Sequence, residues 1–443
     1  MFRKQLLIII LILYLPLVAC TASAPKSNSL VADNKPTILS KLPVAKQKNE
    51  DSPAKRTTAG ILPSVPQDLL IRTAEYELKL WRTDDTIETV AENIYYADVL
   101  PNGSDLLVAQ FIGEPSSASQ DNLFILSPTD GTVQPLLQNQ RLGSFALSPN
   151  GELLAYSIRD SLNINETIFV KPVNSEEPPR EITRCFAQLC SGIVWHPSGD
   201  FFTFSNEEAV WQVLATTGDM TPLLTNQFSS SEIVTLGYTI YSWEENGRYA
   251  QLRKRINKRW LEALYDQQTG EVRELPQSVM NTTWPTFNYH LVGDNQLLVF
   301  DRAVSEAPAL RLATFDFESE AFITELKTFE LSSGTNGGGS PLVRFSDTTF
   351  GFSLTPAFET NDASFYRFDL ATEQIEKVAE IPSQPEWADW LQTVAWLPNE
   401  SGLFFSRADA SYFVSFADQQ IYPLNKSYIG GNVRAAHWLA PNS

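Results

Sequence analysis

One turn recurs at a fixed interval, and that interval restricts the fold more than any other feature of the chain. Leu100-Pro101-Asn102-Gly103, Ser148-Pro149-Asn150-Gly151, His196-Pro197-Ser198-Gly199 and Glu244-Glu245-Asn246-Gly247 follow one another 48 residues apart. Weaker copies stand at Val292-Gly293-Asp294-Asn295, Ser346-Asp347, Leu397-Pro398-Asn399 and Ala440-Pro441-Asn442. Proline sets the first turn dihedral and glycine or asparagine accepts a positive φ, so each copy predicts a joint between two antiparallel strands. The flanks agree with this, as Gly192-Ile193-Val194-Trp195 precedes one joint and Phe201-Phe202-Thr203-Phe204 follows it.

A second hairpin lies 25–30 residues further along each unit, with its turns near Asp84, Asp130, Glu176, Gly218, Gly270, Ser319, Thr372 and Asp418. Four short strands per unit of 40–55 residues predict an all-β fold, an eight-bladed β-propeller of four-stranded blades. Seven blades is the runner-up, should 280–330 or 331–382 prove not to be a full unit. A parallel β-helix needs shorter periods, and a helical solenoid needs a 3.6-residue apolar period that the chain lacks. The first hairpin, 77–83 and 87–91, has a strand before it at 68–73 but no turn-bearing strand before that. The chain ends on an orphan copy of the missing strand, 433–439, which is expected to complete the first blade and remove the free sheet edges.

Phe145-Ala146-Leu147-Ser148-Pro149-Asn150-Gly151-Glu152-Leu153-Leu154-Ala155-Tyr156, with Ile168-Phe169-Val170 downstream, resembles the TolB-type (WD40-like) β-propeller repeat. The copy at 193–204 is similar, and later units match in spacing more than in letters. The resemblance spans about residues 67–443 and implies the propeller fold. Its functional content is small, because such repeats serve TolB proteins, peptidase propellers and many lipoproteins.

The N-terminal stretch supplies an address. Arg3 and Lys4 precede an apolar run from Leu6 to Val18, and Leu17-Val18-Ala19-Cys20 closes it. Such a run is short for a membrane span and reads as a signal peptide. Its last four residues resemble the bacterial lipobox, whose cysteine takes a diacylglycerol thioether and becomes the new N-terminus. Residues 1–19 are therefore expected to be a lipoprotein signal peptide, 20–66 a lipidated flexible tether rich in Ser, Thr, Ala, Pro, Lys and Asn, and 67–443 the propeller. The expected location is extracytoplasmic, with Cys20 holding the chain to the cell membrane, the outer one where the host has one.

Charge and rare residues limit the chemistry. After residue 66 the chain carries 24 basic and 49 acidic residues, which argues against nucleic acid as a partner. A serine hydrolase would need a Gly-x-Ser-x-Gly elbow, and none occurs. The three histidines, His196, His290 and His437, fall near the first strands of separate units. His196 lies in the turn itself, away from the usual pocket mouth, so packing beside Trp195, Tyr289 and Trp438 is expected rather than a metal site. No cofactor is expected, nor any catalytic residue. Cys185 and Cys190, with four residues between them in an export-compatible chain, are candidates for a disulfide.

In propellers the connections between second and third strands, and those from the last strand to the next blade, share one face, where ligands usually bind. Here those connections hold the basic hairpin Arg253, Lys254, Arg255, Lys258, Arg259 with Trp260, and the indoles of Trp284, Trp387 and Trp390. Arginine and tryptophan are the residues most enriched at interaction hot spots. The expectation is a monomeric membrane-anchored propeller lipoprotein that binds an envelope protein or an anionic polymer. A lyase- or lactonase-like enzyme with its site in the central mouth, and a purely structural envelope component, are the alternatives.

Overall fold

The computed structural model describes residues 67–439, leaving out 85, 114–119, 187–189, 229–233, 257–258, 276–288, 294, 304–308, 317, 320, 331–337, 340–341, 356–362, 382–392, 398–401, 408–409, 417–419 and 425–432. The expected signal peptide, Cys20 and the tether lie outside the described residues. Every regular element described is a strand.

The strands form eight antiparallel sheets, numbered here as blades 1–8 in chain order. Blade 2 shows the plan, with Ile94–Val99, Leu106–Ile112, Gln120–Leu126 and Val133–Gln140 hydrogen-bonded in sequence order. Blade 3 repeats it with Leu142–Leu147, Leu153–Arg159, Glu166–Pro172 and Arg180–Cys185, and blade 4 with Ser191–Trp195, Phe201–Ser205, Ala209–Leu214 and Met220–Thr225. Blade 5 adds a short strand, Gln227–Phe228, inside its first strand Val234–Trp243, and continues through Tyr249–Ile256, Arg259–Asp266 and Glu271–Glu274. Both units whose parsing was open form sheets, blade 6 from Tyr289–Leu291 to Ala321–Glu330 and blade 7 around Thr349–Thr355, so the count is eight. The first strand of blade 7 is in two pieces, Gly338–Gly339 and Val343–Arg344, which explains its weak repeat signature. Blade 8 begins at Thr393–Trp396.

Ring closure follows the expected route. Val433–Trp438 pairs antiparallel with Leu69–Thr73, Leu69 opposite Trp438 and Leu70 opposite His437. It forms the edge of blade 1, whose other strands are Leu78–Trp81 and Ile87–Ala91. First strands of successive blades approach one another, 142–147 with 191–195, 191–195 with 234–243, and 393–396 with 433–438, which places them around the axis.

The local cause of the repeat is visible in the turns. Gly103, Gly151, Gly199 and Gly247 have φ of 72°, 72°, 75° and 70°, a conformation that costs an L side chain about 1 kcal/mol or more. Each glycine N–H donates to the carbonyl three residues back, at 2.8–2.9 Å, and the strand resumes two or three residues later.

Strands between blades are covered on both faces, so their sequences are continuously apolar. Phe201–Ser205 is buried at every position, whereas Val133–Gln140 at the outer edge is mostly half-buried or exposed. The core is accordingly eight separate clusters, one for each blade interface. Ile168 and Val170 of blade 3 meet Phe202, Phe204 and Val213 of blade 4, and Leu69, Ile71 and Trp81 of blade 1 meet Leu397, Phe404 and Phe413 of blade 8. A fully buried Phe or Leu contributes about 1.5–3 kcal/mol, so each interface is a substantial bond between blades.

Polar latches add direction. Trp195 donates its indole N–H to the Ala146 carbonyl of the preceding blade at 3.0 Å, and Trp438 donates to Ala395 at 3.4 Å. His196 Nε2 meets the Gly247 carbonyl at 2.9 Å and His290 Nε2 the Leu342 carbonyl at 2.9 Å, each joining one blade to the next. The ring partners of His196 are Phe201 and Trp243, at 4.4 and 4.9 Å, rather than the adjacent Trp195, because successive residues of a strand face opposite sides.

Candidate functional site

An open recess of about 330 Å³ lies among the first strands of blades 2–5. Its wall is Tyr96, then Gly143, Ser144 and Phe145, then Gly192, Ile193 and Val194, then Ile240 and Tyr241. Residues 96, 144, 192 and 240 are each 48 positions apart, as are 145, 193 and 241. One rung of four successive repeats and the next rung of three thus line the axis. Residue types differ at each rung, which breaks the ring symmetry and makes one side of the axis distinct.

The wall is largely aromatic and bare backbone. Tyr96 packs edge-on against Phe145 at 5.0 Å, and its hydroxyl lies 3.2 Å from Asp98 Oδ2. Burial, with Asp98 adding to it, holds that phenol well above its ordinary range, so it is a neutral donor at any physiological pH. Tyr241 is raised in the same direction, chiefly by burial.

Two carboxylates stand behind the wall, at equivalent places in blades 2 and 3. Asp121 accepts the Leu142 N–H at 3.2 Å, and burial raises its pKa against the opposing effects of that bond and of Arg159. Glu166 is wholly buried, with Oε1 2.5 Å from the Ser157 hydroxyl and 3.9 Å from Arg159 Nε. Its Oε2 is buried without a hydrogen-bond partner. Burial raises its pKa, and Ser157, Arg159 and the backbone amides of Cys190 and Ser144 moderate the shift. Oε1 occupies space that a side chain at Gly143 would need, since a Cβ there would fall 1.6 Å from it. The residue equivalent to Gly143 in blade 2 is Tyr95, so the glycine reflects the carboxylate behind it rather than the strand.

A carboxyl whose folded pKa is raised binds its proton more tightly folded than unfolded, so stability falls as pH rises through the unfolded and then the folded value. Glu166→Gln keeps the acceptor for Ser157 and abolishes the titration. The variant is expected to melt like the parent near pH 4 and above it at pH 7–8. A parent chain that gains stability over that interval relative to the variant, in paired thermal melts, contradicts the assignment.

The residues singled out from the sequence are placed unevenly. Arg253 does not line the recess but packs on a residue that does, its guanidinium 4.8 Å from the centre of the Tyr241 ring, while its Nε donates to Glu262 Oε1 at 2.8 Å. Lys254 points to the other face of the strand, where it pairs with Glu274 at 2.5 Å. Arg255 sits opposite Gly237 and Trp260 in the sheet. Lys258, Trp284, Trp387 and Trp390, and the side chains of Arg259 and Trp260, lie outside the described residues. Cys185 and Cys190 form a disulfide with Cα atoms 5.9 Å apart. It clamps the connection from blade 3 to blade 4, and Cys190 Sγ lies 3.8 Å from the Glu166 carbonyl. Among the described residues no group of three His, Cys, Asp or Glu side chains is arranged to hold a metal.

Sequence reasoning missed Tyr96, Ser144, Phe145, Ile193 and Tyr241, and the carboxylates Asp121 and Glu166. The signal for the wall was present in the 48-residue spacing, read at the rungs between turns instead of at the turns.

No family model matches the chain, and no curated protein matches it in sequence. Among solved structures it is similar to the dihydro-heme d1 dehydrogenase NirN, at 11% identity and a TM-score of 0.54 over 87% of this chain and 77% of that one. It is also similar to dipeptidyl peptidase 4 of Porphyromonas gingivalis, at 8% identity and a TM-score of 0.52 over 85% of this chain and 62% of the other. TolB from Acinetobacter baumannii aligns at 15% identity with a TM-score of 0.36, over 58% of this chain and 61% of TolB. Eight antiparallel sheets in series, packed through eight blade interfaces, make the chain an eight-bladed β-propeller.

Proposed function

We propose that the chain is an extracytoplasmic lipoprotein of the cell envelope, anchored through Cys20, whose propeller binds a protein or small ligand at the mouth of the axial recess. The recess carries this reading: about 330 Å³, walled by four blades, with aromatic faces, two tyrosine hydroxyls and exposed backbone at Gly143 and Gly192. Such a surface offers stacking and hydrogen bonds, and its lining residues include no nucleophile paired with a base.

One experiment tests both halves. A photo-crosslinking amino acid is placed at Tyr96 in the recess or at Asn150 in an opposite-face turn, in cells that are then fractionated. Adducts from position 96, absent from position 150, are expected in the membrane fraction, and Cys20→Ser is expected to move the chain out of that fraction or leave its precursor uncleaved. Equal adducts from both positions count against binding at the mouth. Unchanged fractionation and processing of Cys20→Ser counts against the anchor.

A further inference from the structure

Exposed apolar side chains on this molecule are not scattered. Of the seven large ones among the described residues, five lie in connections at the mouth face of blades 1–3. Tyr76 sits between the second and third strands of blade 1, and Ile112 ends the second strand of blade 2. Leu162 and Ile164 occupy the tip of blade 3, and Phe186 follows its outer strand. Leu162 is 71% exposed and Phe186 70%, values that a side chain with a purely structural role seldom shows. The connections are tied together, because Arg141, between blades 2 and 3, donates to the Ser161 carbonyl at 2.7 Å, and the Phe111 N–H donates to Asn93 at 3.1 Å. The connections of blades 1–3 thus hold one another on the mouth face.

The setting is acidic. Glu75, Glu92, Glu207 and Glu208 are exposed in the connections of blades 1–4. Cations of the same connections are drawn inward: Arg141 is half-buried on its carbonyl partner, and Arg159 is half-buried beside Glu166. An anionic bilayer would be repelled by such a face, and a second copy would bring the same acidic face with it. What complements apolar tips among carboxylates is apolar side chains among cations.

We infer that the rim of blades 1–4 docks a segment of another protein that carries Lys or Arg interspersed with aliphatic or aromatic side chains. The inference rests on the reading of this face as the binding face and names the chemistry of its partner. Leu162 and Phe186 supply the apolar anchors, and Glu207 and Glu208 supply the charge.

The test uses the full chain in detergent and a displayed library of random twelve-residue peptides, selected at low salt. Peptides rich in Lys or Arg together with Leu, Ile or Phe are expected, and affinity for a synthesised one should fall at least tenfold in Leu162→Ser/Phe186→Ser. Glu207→Lys/Glu208→Lys should weaken it severalfold, with melting temperatures unchanged because all four side chains are exposed or at the rim. Each single substitution is run beside the pairs, so that one misfolded variant leaves the comparison intact. Selection of acidic peptides, or binding indifferent to these substitutions, overturns the inference. So does sedimentation showing a dimer that Leu162→Ser/Phe186→Ser dissolves, or binding to vesicles of zwitterionic and anionic lipid that the same variant loses. A variant that still yields the adduct from position 96 overturns this rim but leaves binding at the recess standing, whereas the absence of that adduct in both chains removes the underlying reading.

Discussion

Deletion of residues 433–443 is expected to lower the melting temperature by about 5–10 °C and to leave the chain prone to association. The segment provides the axial strand of blade 1, and on the other side of it Leu69, Leu70 and Ile71 are at most 1% exposed. Losing Trp438 and Leu439 and uncovering these partners exposes roughly 200–300 Å² of apolar surface, or about 5–8 kcal/mol. That is comparable with the whole stability of an ordinary domain, about 5–15 kcal/mol, and in a chain of this size a change of 1 kcal/mol moves the midpoint by about 1 °C. The strand Leu69–Thr73 would also present an unpaired row of backbone groups, a template for pairing with another chain. Thermal melts and light scattering of the truncated and intact chains decide the matter. Coincident melting curves would mean that the ring does not depend on its terminal strand.

Gly143→Ala is the second substitution expected to act strongly. The new methyl would fall 1.6 Å from Glu166 Oε1 and 2.4 Å from Ser157 Oγ, so the buried carboxylate has to leave its hydroxyl partner. Overpacking and the loss of a buried charge-assisted bond together should cost about 3 kcal/mol or more. In the background of Glu166→Ala/Ser157→Ala the same change should cost less than about 1 kcal/mol, because both side chains that crowd the position are then gone. This cycle separates a steric conflict with the Glu166–Ser157 pair from a conformational need for glycine. Equal costs in both backgrounds would show that the strand, and not the carboxylate, demands glycine.

The architecture was legible because each turn carries its own backbone requirement. Gly103, Gly151, Gly199 and Gly247 announce positive φ in the letters themselves, and the interval between them counts the blades. The disulfide was legible for the same reason, as a local spacing. The recess was not, because its rungs share position and not chemistry: Tyr96, Ser144, Gly192 and Ile240 have nothing in common until a fold aligns them. Glu166 escaped notice because burial, which is what makes a carboxylate informative, is a tertiary property. The basic hairpin misled in part. Arg253 and Lys254 look like an unpaired charge run, but cross-strand register sets Glu262 opposite Arg253, and the outer strand brings Glu274 to Lys254. A run of like charges in one strand says little until its neighbours are known.

The strand that closes the ring has a consequence in time. Leu69 is among the first residues of blade 1 to be synthesised, and its partner Trp438 lies 369 positions later. At about 5–20 residues per second, the partner arrives on the order of 20–70 s afterwards. Blades 2–8 each contain all their own strands and can assemble as they arrive where the chain folds, but blade 1 must wait for the last strand with one edge open. Until then the chain is an incomplete arc with adhesive ends. An exported chain of this kind depends on how soon its last strand follows the first across the membrane and on what shields the open edge meanwhile.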